Sequence, residues 1–221
     1  MYIFFKRFID ILISLFVLIF LSPILLPLVI ILRFSAEGYV FYLQERIGFK
    51  NTSFNIIKFA TMLKDSPNLA SGSITLTDDW RVTRPGIFLR KTKINELPQI
   101  INILKGDISL VGPRPLVTTT FKAYSEEVQS KIYNVKPGLT GIGSIIFRDE
   151  ESIISKVKDE DPHEFYKRVI APYKGELEMW YQSNCSFLLD LQLIFMTAWV
   201  ILMPTSKLYE KWFKDLPKRS F

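Results

Sequence analysis

The amino-acid sequence predicts a small α/β domain, rich in helix with a short β-sheet, attached to an N-terminal membrane helix. Three observations lead to this fold class. Residues 11–32 contain no charged residue, and a helix of that length can span a bilayer. Residues 39–44 and 53–59 are rich in β-branched and aromatic residues and flank a turn, which is typical of two strands. Apolar residues recur at helical spacing over 94–104, which predicts a short amphipathic helix.

Composition narrows the classes of partner and metal site. The formal net charge of +6 suits an anionic membrane face, a phosphate-bearing substrate or nucleic acid. No nucleic-acid motif occurs, so we expect no nucleic-acid partner. The one cysteine, Cys185, and the one histidine, His163, exclude an internal disulfide, a cysteine zinc site and a multi-histidine centre. Any metal would then be a hard cation on oxygen ligands.

The apolar run leaves its membrane topology open. Pro23 and Pro27 lie near its middle, where proline removes a backbone hydrogen bond and kinks a helix. Basic residues flank the run on both sides, so the positive-inside rule assigns no direction. The residues alone are equally compatible with a kinked transmembrane helix and with a hairpin whose two ends lie on the cytoplasmic side.

The densest group of chemically useful residues lies in 87–116, IFLRKTKINELPQIINILKGDISLVGPRPL. Asn95 is a plausible N-cap for the 94–104 helix, and Gly106 fits just past its end. Arg114 lies between two prolines, on a stiff backbone that suits a bidentate grip on phosphate. Taken alone, the pattern favours a capped helix followed by a proline turn.

The same stretch resembles the signature of bacterial sugar transferases of the small monotopic phosphoglycosyl transferase type. The match there comprises Leu89, Arg90, Thr92, Glu96, Leu97, Pro98, Gln99, Asn102, Leu104, Lys105, Gly106, Asp107, Ser109, Leu110, Val111, Gly112, Pro113, Arg114, Pro115 and Leu116. An upstream segment matches at Gln44, Arg46, Gly48, Phe54, Lys58, Phe59, Thr61 and Met62. The resemblance extends from about Lys6 to Leu202, and it includes the Pro137–Gly141 turn.

The resemblance implies a domain organisation and an address. In the family a re-entrant membrane helix is broken at a Ser-Pro pair, which matches Ser22-Pro23 here. We therefore predict a re-entrant membrane helix at 1–34, a cytoplasmic sugar-transferase domain at 35–205, and an interfacial or solvated tail at 206–221. The expected location is the cytoplasmic face of a bacterial inner membrane. A homodimer is possible, but no residue pattern decides it.

The resemblance also implies an activity, namely transfer of a sugar 1-phosphate from a UDP-sugar to polyprenyl phosphate with Mg²⁺. Glu96 would be a catalytic residue and the Mg²⁺ ligand. Five basic residues match candidate phosphate-binding positions: Lys58, Arg81, Arg90, Arg114 and Arg148.

Two departures from the family pattern stand out. Asn95 occupies the catalytic position where the family has its nucleophilic aspartate. The loop Gly143–Arg148 reads GSIIFR where the family reads approximately A-Q-V-N-G-R, and an acidic run follows at Asp149–Glu151. The acidic run is either a solvated helix N-terminus or a replacement carboxylate cluster.

Three functions remain open at this point. The first, which we favour, is a phosphoglycosyl transferase that uses Glu96 or another carboxylate, or that carries an engineered aspartate-to-asparagine change. The second is a glycosyltransferase that passes a sugar to a lipid-linked sugar acceptor without a covalent enzyme intermediate. The third is a non-catalytic membrane protein that binds nucleotide-sugar or lipid phosphate.

Overall fold

The computed structural model describes residues 2–35, 37–66, 79–157 and 160–219. Its helices are α1 Tyr2–Arg33, α2 Arg84–Lys91, α3 Gln99–Lys105, α4 Thr118–Phe121, α5 Glu126–Lys131, α6 Ile142–Ile146, α7 Glu150–Ser155, α8 Pro162–Phe165, α9 Ala171–Asn184, α10 Phe187–Leu202 and α11 Leu208–Trp212. A π-helical turn, Tyr166–Ile170, joins α8 to α9. The strands are β1 Phe41–Ile47, β2 Ser53–Phe59, β3 Ser109–Val111 and β4 Gly138–Thr140.

The four strands form two small sheets. β1 and β2 are antiparallel, with Phe41 opposite Phe59, and β3 pairs with β4 in parallel. The predicted helix-rich α/β fold with short sheet structure is confirmed. The first strand begins two residues later than the pattern over 39–44 suggests and continues to Ile47, because the antiparallel register with β2 extends to that residue.

The parallel pair depends on glycines that let two backbones meet. A Cβ on Gly112 would lie 2.3 Å from the Lys136 carbonyl oxygen, and one on Gly138 would lie 2.1 Å from the Gly112 nitrogen. The Gly112 N–H donates to the Thr140 carbonyl at 2.9 Å, and the Gly138 N–H donates to the Pro113 carbonyl at 2.8 Å. Any side chain at these glycines would push the two segments apart.

The main hydrophobic core lies among α6, α9 and α10. Its fully buried members include Ile142, Leu177, Leu193 and Met196. Phe213, in the predicted tail, is also buried in this core. Residues 208–216 therefore pack on the domain and do not form a free tail, while the last two residues of the predicted tail lie outside the described part of the chain.

The N-terminal helix α1 is continuous. The Ser22-Pro23 pair lies inside it without a non-helical gap, and the predicted break in the direction of the helix at this pair stays a prediction. Pro23 has no N–H to donate to the Ile19 carbonyl four residues earlier. The Ser22 hydroxyl donates to that same carbonyl at 2.8 Å, which replaces the missing backbone bond and lets the helix continue.

Polar contacts attach the start of α1 to helices α9 and α10. The Asp190 carboxylate accepts hydrogen bonds from the Tyr2 hydroxyl at 2.7 Å, from Lys6 Nζ at 2.6 Å and from the Tyr181 hydroxyl at 2.7 Å. These contacts join the first two turns of α1 to α9 and α10, although almost the whole chain separates them in sequence.

The start of α1 also contacts the central stretch. Arg7 donates from both terminal nitrogens to the Ile103 and Leu104 carbonyls, at the C-terminal end of α3. A cation is favourable at that end of a helix, where carbonyls have no intrahelical partner. The Asp10 carboxylate, buried within the helix interface, accepts from the Leu110 backbone N–H at 3.0 Å.

The other end of α1 packs on the same domain. Leu32 is 2% exposed and lies with Phe59 and Leu89 in a second small core. The opposite face of α1 carries exposed apolar side chains over its whole length, among them Phe4, Phe8, Phe16, Phe20, Ile24 and Ile31. In the described part of the chain α1 is the one helix long and apolar enough to cross a membrane. One domain therefore contacts both ends of α1.

We expect Asp190→Asn to destabilise the fold by about 3 kcal/mol, because it leaves the Lys6 ammonium without its charge partner at a mostly buried site. Thermal or chemical unfolding in detergent measures this. The matched control is Glu127→Gln, which removes one partner of the exposed Glu127–Lys131 pair and should cost less than about 0.5 kcal/mol. Equal effects of the two substitutions would show that the α1 anchor contributes nothing beyond a surface ion pair.

Candidate active site

Asn95 and Glu96 lie in a 3-10 turn, Ile94–Glu96, and not in the first turn of a long helix. The predicted helix over 94–104 is therefore wrong at its start, and Asn95 is not its N-cap. Pro98 has no N–H to give to the Ile94 carbonyl, so the Leu97 N–H closes a tighter turn onto that carbonyl at 3.1 Å. The predicted end is confirmed, with Gly106 in the left-handed region at φ 92°.

The turn after β3 holds Arg114 rigidly. The buried Tyr133 hydroxyl accepts from the Leu116 N–H at 3.0 Å and donates to the Arg114 carbonyl at 2.8 Å. The Arg114 N–H points to one oxygen of Glu178, at 3.5 Å. With its backbone fixed on both sides, the Arg114 guanidinium reaches Glu96 at 3.4 Å.

Lys58 and Arg46 add two further cations beside this pair. Arg46 donates to the Pro115 carbonyl at 3.1 Å, next to Arg114. Burial lowers the pKa of Lys58 to about 7, and the positive charges of Arg46 and Arg114 act in the same direction. Burial also lowers the pKa of Arg46 to about 10, with Arg114 contributing. The cluster therefore holds more positive charge than its carboxylate neutralises.

Glu96 is the carboxylate within this group of cations. Burial alone would raise its pKa, but Arg114, Lys58 and Lys93 outweigh that effect and lower the pKa to about 2. Glu96 is thus ionised throughout the physiological range. Of the predicted site residues, the structure brings Lys58, Glu96 and Arg114 together, and it adds Arg46, which was not among the predicted site residues.

Arg90 and Arg148 remain compatible with a phosphate site, whereas Arg81 lies apart. Arg90 donates to Glu151 at 2.8 Å. One guanidinium nitrogen of Arg148 is buried without a hydrogen-bond partner among the described residues. Arg81 is fully buried, and it donates to both Asp79 oxygens and to the Ser66 carbonyl at 2.8 Å. Those contacts give Arg81 a structural role in the segment before α2.

The acidic run forms the N-terminus of α7, with Asp149 at the N-cap position and Glu150 and Glu151 in the first turn. Glu150 pairs with Lys174, which is 2% exposed, and Glu151 pairs with Arg90 at 2.8 Å. Asp149 and Glu151 are exposed, and Glu150 is partly buried. The predicted helix N-terminus is therefore confirmed, and two of its members also pair with cations near the site.

Glu178 is a buried acid that sequence reasoning missed. It is 1% exposed, and its second carboxyl oxygen has no hydrogen-bond partner in the described structure. Burial raises its pKa to about 7, although Lys174 and Arg114 oppose this. A Cβ on Gly143 would lie 2.3 Å from Glu178, so the alanine of the family pattern would collide with this carboxylate. The sequence feature that could have indicated this residue is the four-residue spacing of Lys174 and Glu178, which places both on one face of a helix.

Three polar residues of the site have an apolar neighbour in sequence that packs in the small core beside α1. Phe59 follows Lys58, and Leu89 precedes Arg90; both are buried with Leu32 of α1. Ile94, which precedes Asn95, packs against the same small core. The site thus lies directly beside the apolar helix, within reach of any group that the helix holds at a membrane surface.

Fold and site together define a membrane-associated domain with a partly buried cationic site. The model of the family described as bacterial sugar transferase matches residues 1–204, and the chain belongs to that family. It is a transferase.

Three relatives illustrate the family. The chain is 36% identical over 198 residues to the uncharacterized sugar transferase EpsL of Bacillus subtilis (strain 168), covering 90% of this chain and 87% of the relative. It is 33% identical over 204 residues to the UDP-N-acetylgalactosamine-undecaprenyl-phosphate N-acetylgalactosaminephosphotransferase of Aeromonas hydrophila, covering 91% of this chain and 44% of the relative. It is 33% identical over 199 residues to the UDP-glucose:undecaprenyl-phosphate glucose-1-phosphate transferase of Klebsiella pneumoniae, covering 88% and 39%. The chain spans less than half the length of the last two relatives.

We expect Glu178→Gln to change how stability depends on pH. Below the ordinary pKa of about 4.5 the carboxyl is protonated in both the folded and unfolded states. Between pH 4.5 and 7 the unfolded state loses the proton and the folded state keeps it, so the wild type loses stability as pH rises. The glutamine variant lacks this loss and should gain about 3 kcal/mol relative to wild type between pH 4.5 and 7.5.

Unfolding curves of both proteins across that pH range, with Glu127→Gln as a surface control, measure the effect. Parallel curves for wild type and Glu178→Gln would contradict the raised pKa.

Proposed function

We propose that this chain transfers a sugar 1-phosphate from a UDP-sugar to polyprenyl phosphate in bacterial glycan biosynthesis. The observation that carries the proposal is the position of the cationic site against α1, where Phe59 and Leu89 join Lys58 and Arg90 to the apolar helix. A water-soluble, anionic donor and a lipid-anchored phosphate acceptor can both reach such a site. The printed names of the relatives from Aeromonas hydrophila and Klebsiella pneumoniae describe reactions of this kind.

The charges of the site suit a diphosphate. Lys58, Arg46 and Arg114 lie around one ionised carboxylate, so an anionic ligand is needed to neutralise the cluster. Burial lowers the pKa of Lys58, and the negative charge of a bound diphosphate would raise that pKa again, which favours the protonated ammonium. Tyr133 fixes the backbone of Arg114, whose guanidinium is a planar donor group. Less conformational entropy is therefore lost when this arginine binds the substrate.

Mg²⁺ is part of the proposal, and the residues present fit it modestly. Among the described residues no three histidine, cysteine or acidic side chains lie close enough to form a full protein cage. Mg²⁺ commonly takes one or two protein oxygens and completes its shell with water and substrate phosphates. Glu96 and the unpartnered amide oxygen of the buried Asn95 could provide those oxygens. Bound there, the ion would neutralise charge on the diphosphate.

Asn95 gives a specific reason to keep a second function. A neutral amide cannot act as the carboxylate nucleophile of the family. A glycosyltransferase on the same scaffold needs no covalent enzyme intermediate, and it would pass the sugar alone to a lipid-linked acceptor. The two reactions differ in the nucleotide that they release, which is UMP in the first and UDP in the second.

The nucleotide released therefore decides the reaction. We expect the purified protein in nanodiscs, with Mg²⁺, undecaprenyl phosphate and UDP-glucose, UDP-galactose or UDP-N-acetylgalactosamine, to release UMP. Asn95→Asp should release UMP at least about tenfold faster, because it places a second carboxylate where the side chain is already accommodated. Release of UDP, above all on adding a lipid-linked sugar, would establish the glycosyltransferase instead. If the wild type releases no nucleotide and Asn95→Asp releases UMP, the site of the wild type is disabled. If neither protein releases a nucleotide, a binding protein is favoured.

The proposed location is the cytoplasmic face of a bacterial inner membrane, with both ends of α1 on that side. We expect single cysteines at Ile3 and Phe34, which are 78% and 86% exposed, to react with a membrane-impermeant maleimide only after cells are permeabilised. Cys185→Ser provides the cysteine-free background, and Lys122→Cys marks the exposed surface of the domain. Labelling of one end in intact cells would indicate a helix that crosses the membrane.

A further inference from the structure

Position 95 lacks the carboxylate that covalent phosphoglycosyl transfer requires. Asn95 is only 8% exposed, and its amide oxygen has no hydrogen-bond partner in the described structure. A nucleophilic carboxylate must be ionised, must be reachable by substrate, and must be held in place by nearby groups. Four other carboxylates contact the cations of the site: Glu96, Glu150, Glu151 and Glu178.

Three of these four are poorly suited to the role. Glu96 is paired with Arg114 at 3.4 Å and is the acid proposed to bind Mg²⁺, so its oxygens are already engaged. Glu178 is 1% exposed and lies beneath the turn that carries Arg114. Glu151 has a side chain 56% exposed and faces outward onto Arg90.

Glu150 meets the requirements. Its side chain is 28% exposed, so the carboxylate is both accessible and partly shielded from water. It is paired with Lys174, whose ammonium also lies 5.5 Å from the ring centroid of Phe147 and 5.7 Å from that of Tyr166. Those rings and the ion pair restrict Lys174, and through it they fix the position of Glu150.

Contacts connect Glu150 to the centre of the site. Lys174 precedes Glu178 by one turn of α9, and Glu178 accepts from the backbone N–H of Arg114, which reaches Glu96 at 3.4 Å. On the other side, the neighbouring Glu151 is bonded to Arg90 of α2. The first turn of α7 is thereby held between α2 and α9, and Glu150 lies close enough to Arg114 for its charge to act on that guanidinium.

We propose that Glu150 provides the catalytic carboxylate that position 95 lacks. This inference rests on the proposed function. One Glu150 oxygen attacks the β-phosphorus of the UDP-sugar and forms an acyl phosphate, while the bond from that phosphorus to the bridging oxygen breaks and UMP leaves with that oxygen. A phosphate oxygen of polyprenyl phosphate then attacks the same phosphorus. The acyl-phosphate bond breaks, and Glu150 returns as a carboxylate.

The test compares UMP release by wild type, Glu150→Gln, Glu150→Asp and the double variant Asn95→Asp/Glu150→Gln, in nanodiscs with undecaprenyl phosphate, Mg²⁺ and the three UDP-sugars. We expect Glu150→Gln to lose about a thousandfold in rate. The double variant should recover release, because it restores a carboxylate at position 95. Glu150→Asp keeps the charge beside Lys174 but withdraws the oxygen, so it should stay folded and lose most of its activity.

Intact-mass measurement without acceptor gives the direct readout. Wild type should gain the mass of one sugar phosphate on the peptide that contains Glu150, and Glu150→Gln should not. Glu127→Gln, on the surface pair with Lys131, is the control for a lost carboxylate and should match wild type. Recovery of activity by the double variant separates catalysis from folding, since a misfolded protein would not be rescued by Asn95→Asp.

The outcomes distinguish the two proposals. Wild-type UMP release that persists in Glu150→Gln, or an adduct on another residue, would overturn the role of Glu150 and leave the proposed function intact. Failure of the double variant to recover, when Asn95→Asp alone is active, would also overturn it by showing that Glu150 acts structurally. A wild type that releases only UDP would overturn the proposed function itself.

Discussion

The close approach of two backbone segments at Gly112 is the constraint on which the site depends. Gly112 and Gly138 let β3 and β4 meet at distances that no side chain permits. After β3, the Tyr133 hydroxyl fixes the backbone through two hydrogen bonds, one to the Arg114 carbonyl and one from the Leu116 N–H. Arg114 consequently points at Glu96 before any ligand is present. A rigid turn of this kind lowers the entropy lost when a phosphate is bound.

The charges around that turn are balanced in pairs, with one group left in excess. Glu150 and Glu151 neutralise Lys174 and Arg90, two cations on opposite sides of the site. Lys58, together with Arg46 and Arg114, has only Glu96 for balance, and the two arginines add to the effect of burial in lowering the pKa of Lys58. Because like charges at short range in a partly buried site are costly, an anionic ligand should be bound most strongly there.

Membrane helix and site form one structural unit. Asp190 and Arg7 attach the start of α1 to the domain, and Leu32 attaches its end. Along β2, successive side chains point to opposite faces, so Phe59 can pack on α1 while Lys58 faces the charged cluster. The side chain that packs on α1 and the side chain that faces the charged cluster are therefore adjacent in sequence.

The sequence by itself determined the features that depend on local geometry or on a matched motif. The apolar run, the strand pair, the helix end at Gly106 and the grouping of Lys58, Glu96 and Arg114 all followed from the printed residues and the family resemblance. The roles of other residues required the tertiary structure, because burial and ion pairing depend on segments far apart in the chain.

Two residues illustrate the difference. Arg81 has the residue type of a phosphate ligand, yet the fold buries it against Asp79. In the sequence Glu178 is an ordinary helical glutamate, and only the fold places its carboxylate against Gly143 and the Arg114 backbone N–H. A periodic pattern shows which face of an element is apolar, but the contacts that hold a buried charge are made across the fold, and only the tertiary structure decided them.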